Sequence, residues 1–293
     1  MRCESSPSSS SSKSSSKFRS SSPLLPVIYV ITPTYSRPTQ KADLTRLSHT
    51  LLLVPRLHWI LVEDASSPTS LVTHFLSHLD SYFLSGENCH HYDLMWTRLH
   101  VPTPAEYKFR PKDPSWLKPK GVLQRNLALD WLRRECRMNR ANIDAKNSVV
   151  YFADDDNTYD VRVFSEMRYT QKVSIWPVGL AGNLIVERPI VKNDHVIGFN
   201  SVWKPERPYP IDMAAFAVNL SLLLENESAS FTYDVPRGYQ ESHILSQLIS
   251  GLDELEPKAS SCSQVYVWHT RTEKAKLTGE RRLTLPSNQG IEL

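Results

Sequence analysis

The chain is poor in cysteine, in net charge and in long apolar runs, and each shortage closes a class of function. Its four cysteines, Cys3, Cys89, Cys136 and Cys262, show no metal-ligand spacing, and their even number alone does not establish disulfides. A net charge of only +3 over 293 residues gives little general attraction for nucleic acid, so no nucleic-acid partner is expected. The longest uncharged apolar run near the N-terminus, Leu24 to Ile31, is too short to span a bilayer, and no basic-then-apolar signal precedes it. No membrane anchor is visible.

Beyond these gaps, residues 1–25 form a Ser-rich leader too polar to join a core and expected to be disordered. From Pro26 onward the composition is that of an enzyme-sized globular domain, with 40% hydrophobic residues and seven tryptophans across the chain. Val149 to Ala153 is β-branched and aromatic without a charge, which reads as a strand buried on both faces of a parallel sheet. Asp154, Asp155 and Asp156 follow at once. A bare run of acids is ordinarily a solvated turn. Behind a buried strand it falls where ligands bind in open α/β sheets, and its oxygens suit Mg²⁺ or Mn²⁺ bridged to a diphosphate.

Val27 to Ile31 and Leu57 to Val62 are further strand runs, one ending in Thr32-Pro33-Thr34-Tyr35-Ser36-Arg37-Pro38 and the other in Glu63-Asp64. Thr39 can cap a helix carrying Leu44, Leu47 and Leu51, Leu71 to Leu79 is a second helix, and Leu94 to Leu99 a further strand. Five prolines between Val101 and Pro119 mark a long irregular loop. Gly121 then opens a helix with the stripe Leu123, Leu127, Trp131 and Leu132. This alternation predicts an α/β half over residues 26–157 that binds a nucleotide.

After it come short strand-like runs at Ser174 to Val178, Leu184 to Val186 and His195 to Phe199, a mixed pattern over residues 158–275. Met213 to Leu224 is apolar all round, and periodicity leaves helix and strand open. A late helix over Tyr239 to Ser250 buries Ile244, Leu245, Leu248 and Ile249 and carries Glu241 in its first turn. Val265 to Trp268 is another strand, and residues 276–293 read as a loosely held polar tail. Asn219-Leu220-Ser221 and Asn226-Glu227-Ser228 are sequons that would take N-glycans in the secretory pathway.

Six motifs lie in register: Pro33-Thr34-Tyr35; Val62-Glu63-Asp64; Gly121 with Gln124-Arg125-Asn126; Asp154-Asp155-Asp156-Asn157; Arg237-Gly238 with Glu241-Ser242; and Trp268-His269-Thr270-Arg271-Thr272-Glu273-Lys274. As a set they resemble the β-1,3-glucuronosyltransferases of glycosyltransferase family 43. The resemblance implies a GT-A fold, a Rossmann-like half joined to an acceptor half in a mixed sheet, and a Mn²⁺-dependent homodimer. Its reaction would move glucuronic acid from UDP-glucuronate to the 3-hydroxyl of a terminal galactose, with inversion. The acceptor is expected in the glycosaminoglycan–protein linker; galactose-ended glycoprotein or glycolipid glycans are the alternative, and a weakly active glycan-binding paralogue a third.

By the same resemblance Asp156 is the metal ligand, while Asp154 and Asp155 orient ribose and donor sugar. Tyr35 would stack on uracil and Asp64 accept its N–H, with Pro33, Thr34, Lys120 and Arg125 completing the donor side. His269, Thr270 and Arg271 would hold the diphosphate and glucuronate. Glu241 would be the general base that a weakly acidic hydroxyl requires; partial burial would raise its basicity and the helix N-terminus lower it. Glu187, Trp203, Arg207 and Asp212 match the galactose-contacting set. Lys120, Lys204 and Asn200 depart from the family pattern, and they bear on acceptor choice more than on catalysis. The family also implies a Golgi membrane location with a lumenal catalytic domain.

Overall fold

A computed structural model describes residues 25–84, 94–109, 113–114, 117–139, 143–273 and 275–293. The expected disorder of the leader, Cys3, Cys89 and Lys274 lie outside the described residues. The first half alternates as the sequence predicts: β1 (Ile28–Thr34), α1 (Gln40–Leu51), β2 (Leu57–Glu63), α2 (Ser70–Leu84), β3 (Met95–His100), α3 (Val122–Met138) and β4 (Val149–Phe152). Thr39 precedes α1 but does not cap it. Its backbone is already helical at φ −98°, ψ −1°, where the hydroxyl cannot reach back to a first-turn N–H.

The second half supplies β5 (Thr158–Tyr159), α4 (Arg162–Met167), β6 (Val173–Ile175), β7 (Val178–Gly179), β8 (Val186–Lys192) and β9 (His195–Asn200). It continues with β10 (Phe216–Asn219), α5 (Leu220–Glu225), α6 (Gln240–Ser246), β11 (Leu255–Pro257) and β12 (Val267–Trp268). A seven-stranded sheet runs β11-β6-β10-β4-β1-β2-β3, and a five-stranded one runs β5-β12-β7-β8-β9. The larger sheet thus takes three strands from beyond residue 157, so that position separates no two sheets.

β1 lies between β2 and β4 and parallel to both, with Ile31 opposite Phe152 and Thr34 opposite Glu63. Every side chain of β4 is fully buried, the two-faced burial that its uncharged run foretold. Parallel pairing carries the C-terminal ends of β1, β2 and β4 to one sheet edge. Tyr35, Asp64 and the three aspartates therefore emerge together.

Further sequence readings change or are resolved on folding. Ser174 to Val178 splits, because Trp176-Pro177 carries the chain from β6 in one sheet to β7 in the other: Pro177 offers no N–H to a ladder, and the buried Trp176 indole N–H donates to the Ala214 carbonyl at 2.9 Å. Leu184 and Ile185 lie before β8, in a turn whose neighbours Leu180, Gly182 and Asn183 all have positive φ. The undecided apolar stretch becomes a single 3₁₀ turn, then β10, then α5.

Asn219 joins β10 to α5 and is 1% exposed. Its Oδ1 caps α5, accepting from the Ser221 N–H at 2.9 Å and hydroxyl at 2.6 Å, while Nδ2 donates to the carbonyls of Lys146 and Thr170 at 2.8 and 2.9 Å. A glycan would attach at that nitrogen, which in this fold is buried and already holds two hydrogen bonds. Asn226, half-buried, keeps its sequon at the end of α5. The tail is exposed but not wholly free: Glu292 pairs with Lys41 of α1 at 2.8 Å and His74 of α2 at 2.7 Å. Among the described residues, no helix is long and apolar enough to cross a membrane.

Candidate active site

The three aspartates have different surroundings. Asp154 accepts from Arg125 Nη2 at 2.6 Å. Asp155 is 5% exposed, accepts from the Thr34 hydroxyl at 2.7 Å and pairs with Arg37 Nη2 at 2.6 Å. Burial pushes its carboxyl up to about 6 against the pull of Arg37 and Thr34. Asp156 has only its backbone carbonyl engaged, by the Thr270 hydroxyl at 2.8 Å; its carboxyl has no hydrogen bond or ion pair among the described residues. Burial, then the charge of Asp154, raises it. A desolvated carboxylate facing a like charge, acted on through space by Arg37 and His269 but bonded to neither, suits one bond to a divalent ion whose remaining ligands are phosphate oxygens. The described residues contain no group of three or more His, Cys, Asp or Glu that would hold an ion by itself.

Arg125 reaches Asp154 because of Gly121. At φ +71°, a Cβ there would stand 2.6 Å from Arg125 Nη1 and 3.0 Å from Pro33 Cγ. Arg125 Nη1 donates instead to the Lys120 carbonyl at 2.8 Å. Gly121→Ala is expected to destabilise the fold by about 2 kcal/mol and lower its melting temperature by about 5 °C. It should also weaken nucleotide binding; calorimetric unfolding and a UDP titration would show an unchanged protein if this is wrong.

At the far end of the edge, Tyr35 is 43% exposed, with the Arg37 guanidinium 4.6 Å and Lys120 Nζ 5.5 Å from its ring centroid. Asp64 accepts from the N–H and hydroxyl of Thr103 at 2.6 and 2.7 Å. Its neighbour Glu63 turns the other way, 1% exposed and paired with Arg98.

β12 delivers His269, Thr270 and Arg271 against the acids. The Thr270 hydroxyl also meets that of Thr158 at 3.0 Å, and Arg271 Nε lies 3.0 Å from His269 Nε2. His269 Nδ1 stands 2.8 Å from Asp212 Oδ2, close enough for charge attraction although the N–H is not aimed along the line. That attraction holds His269 up at about 9. Burial alone would raise Asp212, but His269, the Ala214 N–H and Arg271 together carry the carboxyl below its ordinary range. A 390 Å³ cavity opens here, lined by Leu180, Gly182, Asn183 and His269 to Arg271.

Glu241, in the first turn of α6, has a side chain 16% exposed and lies 3.7 Å from Arg207 Nη1. Burial lifts it to about 7; its own backbone N–H opposes the rise, Asp212 adds to it, and Arg207 and Arg125 oppose it more weakly. Asp212 therefore acts on both His269 and Glu241. Arg207 is 5% exposed and donates to the carbonyls of Gly238, Trp203 and Lys204 at 2.6, 3.1 and 3.2 Å, tying the Trp203 loop to the start of α6. The Arg237 guanidinium covers the Trp203 ring at 4.7 Å, and a Cβ on Gly238 would stand 2.7 Å from its Nε1. Glu187, 4% exposed, accepts from the Ser201 hydroxyl at 2.5 Å, and burial raises it.

The residues singled out from the sequence thus form one group around the aspartates and another around Glu241, linked by Asp212, which pairs with His269 and adds to the Glu241 shift. Arg37, Asp43, Thr103, Leu180, Asn183 and Thr272 were not foreseen. Of these, Arg37, between two prolines in a candidate ligand loop, and Thr272, inside the last of the six motifs, left a signal.

A family model described as glycosyltransferase family 43 matches residues 47–273. The chain is 51% identical over 263 residues to galactosylgalactosylxylosylprotein 3-beta-glucuronosyltransferase I of Drosophila melanogaster, covering 88% of this chain and 80% of that protein. It is 52% identical to galactosylgalactosylxylosylprotein 3-beta-glucuronosyltransferase 3 of Mus musculus, covering 88% of this chain and 74% of that one. Among solved structures, the mannosyltransferase PcManGT from Pyrobaculum calidifontis, in complex with GDP-Man and Mn2+, is similar with a TM-score of 0.45 at 14% identity, over 89% of this chain and 61% of that one. That likeness is too loose to carry an argument.

Proposed function

Since this chain belongs to glycosyltransferase family 43, we propose that it transfers glucuronic acid from UDP-glucuronate to the 3-hydroxyl of a terminal galactose in the glycosaminoglycan–protein linker, with inversion. The observation that carries the reading is Glu241, a largely desolvated carboxylate held at about 7 beside the Asp212–His269 pair. A general base works best when its pKa lies near the working pH.

In the step this implies, Glu241 takes the proton of the acceptor 3-hydroxyl as that oxygen bonds to the anomeric carbon, and the bond from that carbon to the β-phosphate oxygen breaks on the opposite face. UDP departs with the electron pair. His269 and Arg271 answer its charge. Arg271 Nε–H donates to His269 Nε2 at 3.0 Å; when His269 takes a proton there that bond is given up, and both N–H groups are then free to donate to a phosphate oxyanion. A divalent cation, Mn²⁺ by family analogy, would be held by Asp156 and supply charge neutralisation to the diphosphate. Tyr35 offers an exposed ring to uracil, and Arg125 turns its guanidinium on Asp154 at the donor side.

On the acceptor side, Trp203 and Glu187 are assigned to the galactose, and Asp212 to both sides. The hydrogen bonds of Arg207 support a brace that sets Trp203 and Glu241 at a fixed distance. Lys204, at φ +48°, lays its ammonium over the Tyr239 ring at 5.3 Å, and Asn200 is exposed at the end of β9. The reading extends to a homodimer in the Golgi membrane with a lumenal catalytic domain. One assay tests activity and acceptor together: Gal-Gal and N-acetyllactosamine compete for transfer from UDP-glucuronate with Mn²⁺. Gal-Gal is expected to win. Preference for N-acetyllactosamine would move the acceptor to glycoprotein glycans, and binding without turnover would leave a glycan-binding paralogue.

The pH profile follows from the two shifted groups. Glu241 must be ionised, so kcat/KM rises through about 7; His269 must be charged, so it falls through about 9. Asp212→Asn removes the main cause of the His269 shift and is expected to bring the alkaline limb down toward the ordinary imidazole range. An alkaline limb that stays in place would show that another group is titrating.

A further inference from the structure

The donor site reads as two halves, Tyr35 at the nucleobase end and the His269–Arg271 segment at the diphosphate end, carried by chain segments more than 200 residues apart. One buried carboxylate holds both. Asp43, on α1, is 2% exposed, and α1 is itself fixed by the buried Leu44, Leu47 and Leu51. Its Oδ2 pairs with Arg37 Nη2 at 2.9 Å, and its Oδ1 accepts from the Thr272 hydroxyl at 2.6 Å. Arg46 adds a looser contact at 3.4 Å.

Arg37 passes the constraint on. The same Nη2 lies 2.6 Å from Asp155, Nη1 donates to the Tyr35 carbonyl at 3.2 Å, and the guanidinium braces the Tyr35 ring at 4.6 Å. Thr272 passes it the other way, being next to Arg271 and two positions beyond Thr270, which binds the Asp156 carbonyl. Neither Arg37 nor Thr272 can move far without giving up its bond to the same carboxylate. A carboxylate shared between two loops couples them, because each bond orders the acceptor that the other uses.

We propose that Asp43 is a positioning residue that couples the nucleobase half of the donor site to the diphosphate half, through Arg37 on one side and Thr272 on the other. The proposal rests on the donor-site reading above. It distinguishes ligands by length. Uridine engages only the Tyr35 end, whereas UDP must engage both ends at once.

Calorimetric titration of the full chain with uridine, and with UDP plus Mn²⁺, tests it. Thr272→Val is expected to weaken UDP about tenfold, the worth of one hydrogen bond to a charged group, and uridine measurably but by much less. Asp43→Ala is expected to weaken UDP, which uses both ends, more than uridine, which uses one, and the double variant to bind UDP no more weakly than Asp43→Ala alone. A merely structural role would lower the melting temperature and weaken uridine and UDP alike. Unchanged UDP affinity in Thr272→Val overturns the coupling, as do losses that multiply in the double variant. If Asp43→Ala does not fold, Thr272→Val alone decides through the ratio of its UDP to its uridine affinity. Failure of the unmodified protein to bind UDP would instead strike the donor-site reading itself.

Discussion

Glu241→Gln is expected to lower kcat by about 10²–10⁴-fold, the range that a positioned general base contributes, while UDP binding stays within about twofold. Glutamine keeps the shape and a hydrogen-bonding oxygen beside Arg207 but cannot accept the acceptor's proton. The same substitution is expected to stabilise the protein at pH 8. Burial raises the Glu241 carboxyl to about 7, so the folded chain holds this proton more tightly than the unfolded one. Stability contributed by the protonated form is therefore lost as pH climbs from the unfolded carboxyl value through about 7. Above that range the buried charge costs on the order of 3 kcal/mol, reduced in so far as the 16% exposed side chain reaches water. Removing it should raise the melting temperature at pH 8 and change little at pH 4. Gain of stability with loss of transfer is what a strained catalytic group predicts. A variant that transfers at the unmodified rate would remove Glu241 from the chemistry.

Asp156→Asn is expected to weaken Mn²⁺-dependent UDP binding by two orders of magnitude or more, since a metal bridge is worth several kcal/mol. Uridine binding, which needs no cation, should persist. The free protein should be no less stable, because burial and Asp154 already disfavour charge on this carboxyl. Titrating UDP with and without Mn²⁺ reads the effect directly, and an Asn variant that keeps its cation dependence would place the ligand elsewhere. Turnover of the unmodified protein undiminished in chelator would remove the metal role altogether.

Both predictions began from residues visible in the sequence, which was legible wherever meaning lies in neighbours along the chain. The uncharged run from Val149 to Ala153 reads as a buried strand, and the acids after it then fall at the sheet edge, where the structure has them. The Ile244-Leu245 pair of α6 was equally plain, because apolar period follows backbone geometry; the stripe read for α3 was not, since Leu123, Leu127 and Trp131 are only half-buried and the buried face is Val122, Ala128, Leu129, Leu132 and Cys136, with Gln124 and Arg125 turned inward beside it. The reading failed where the chain serves two structures at once. Trp176-Pro177 looks like the middle of one strand but is a crossing between sheets, and Asn219 looks like a glycan acceptor but is a buried cap. Thr39 has the right side chain for a cap in the wrong backbone conformation.

The sequence by itself determined the alternation of elements, the acids at the end of β4 and the set of motifs that identifies the family, since all of these are fixed by spacing and side-chain type. Only the tertiary structure decided which charges meet. Thr272 and Asp43 are 229 positions apart and bonded, and Asp212 tunes both His269 and Glu241 from a segment adjacent to neither. The reason is that an ion pair or a shifted pKa depends on distance through space and on exclusion of water, and both arise only when the sheets have packed.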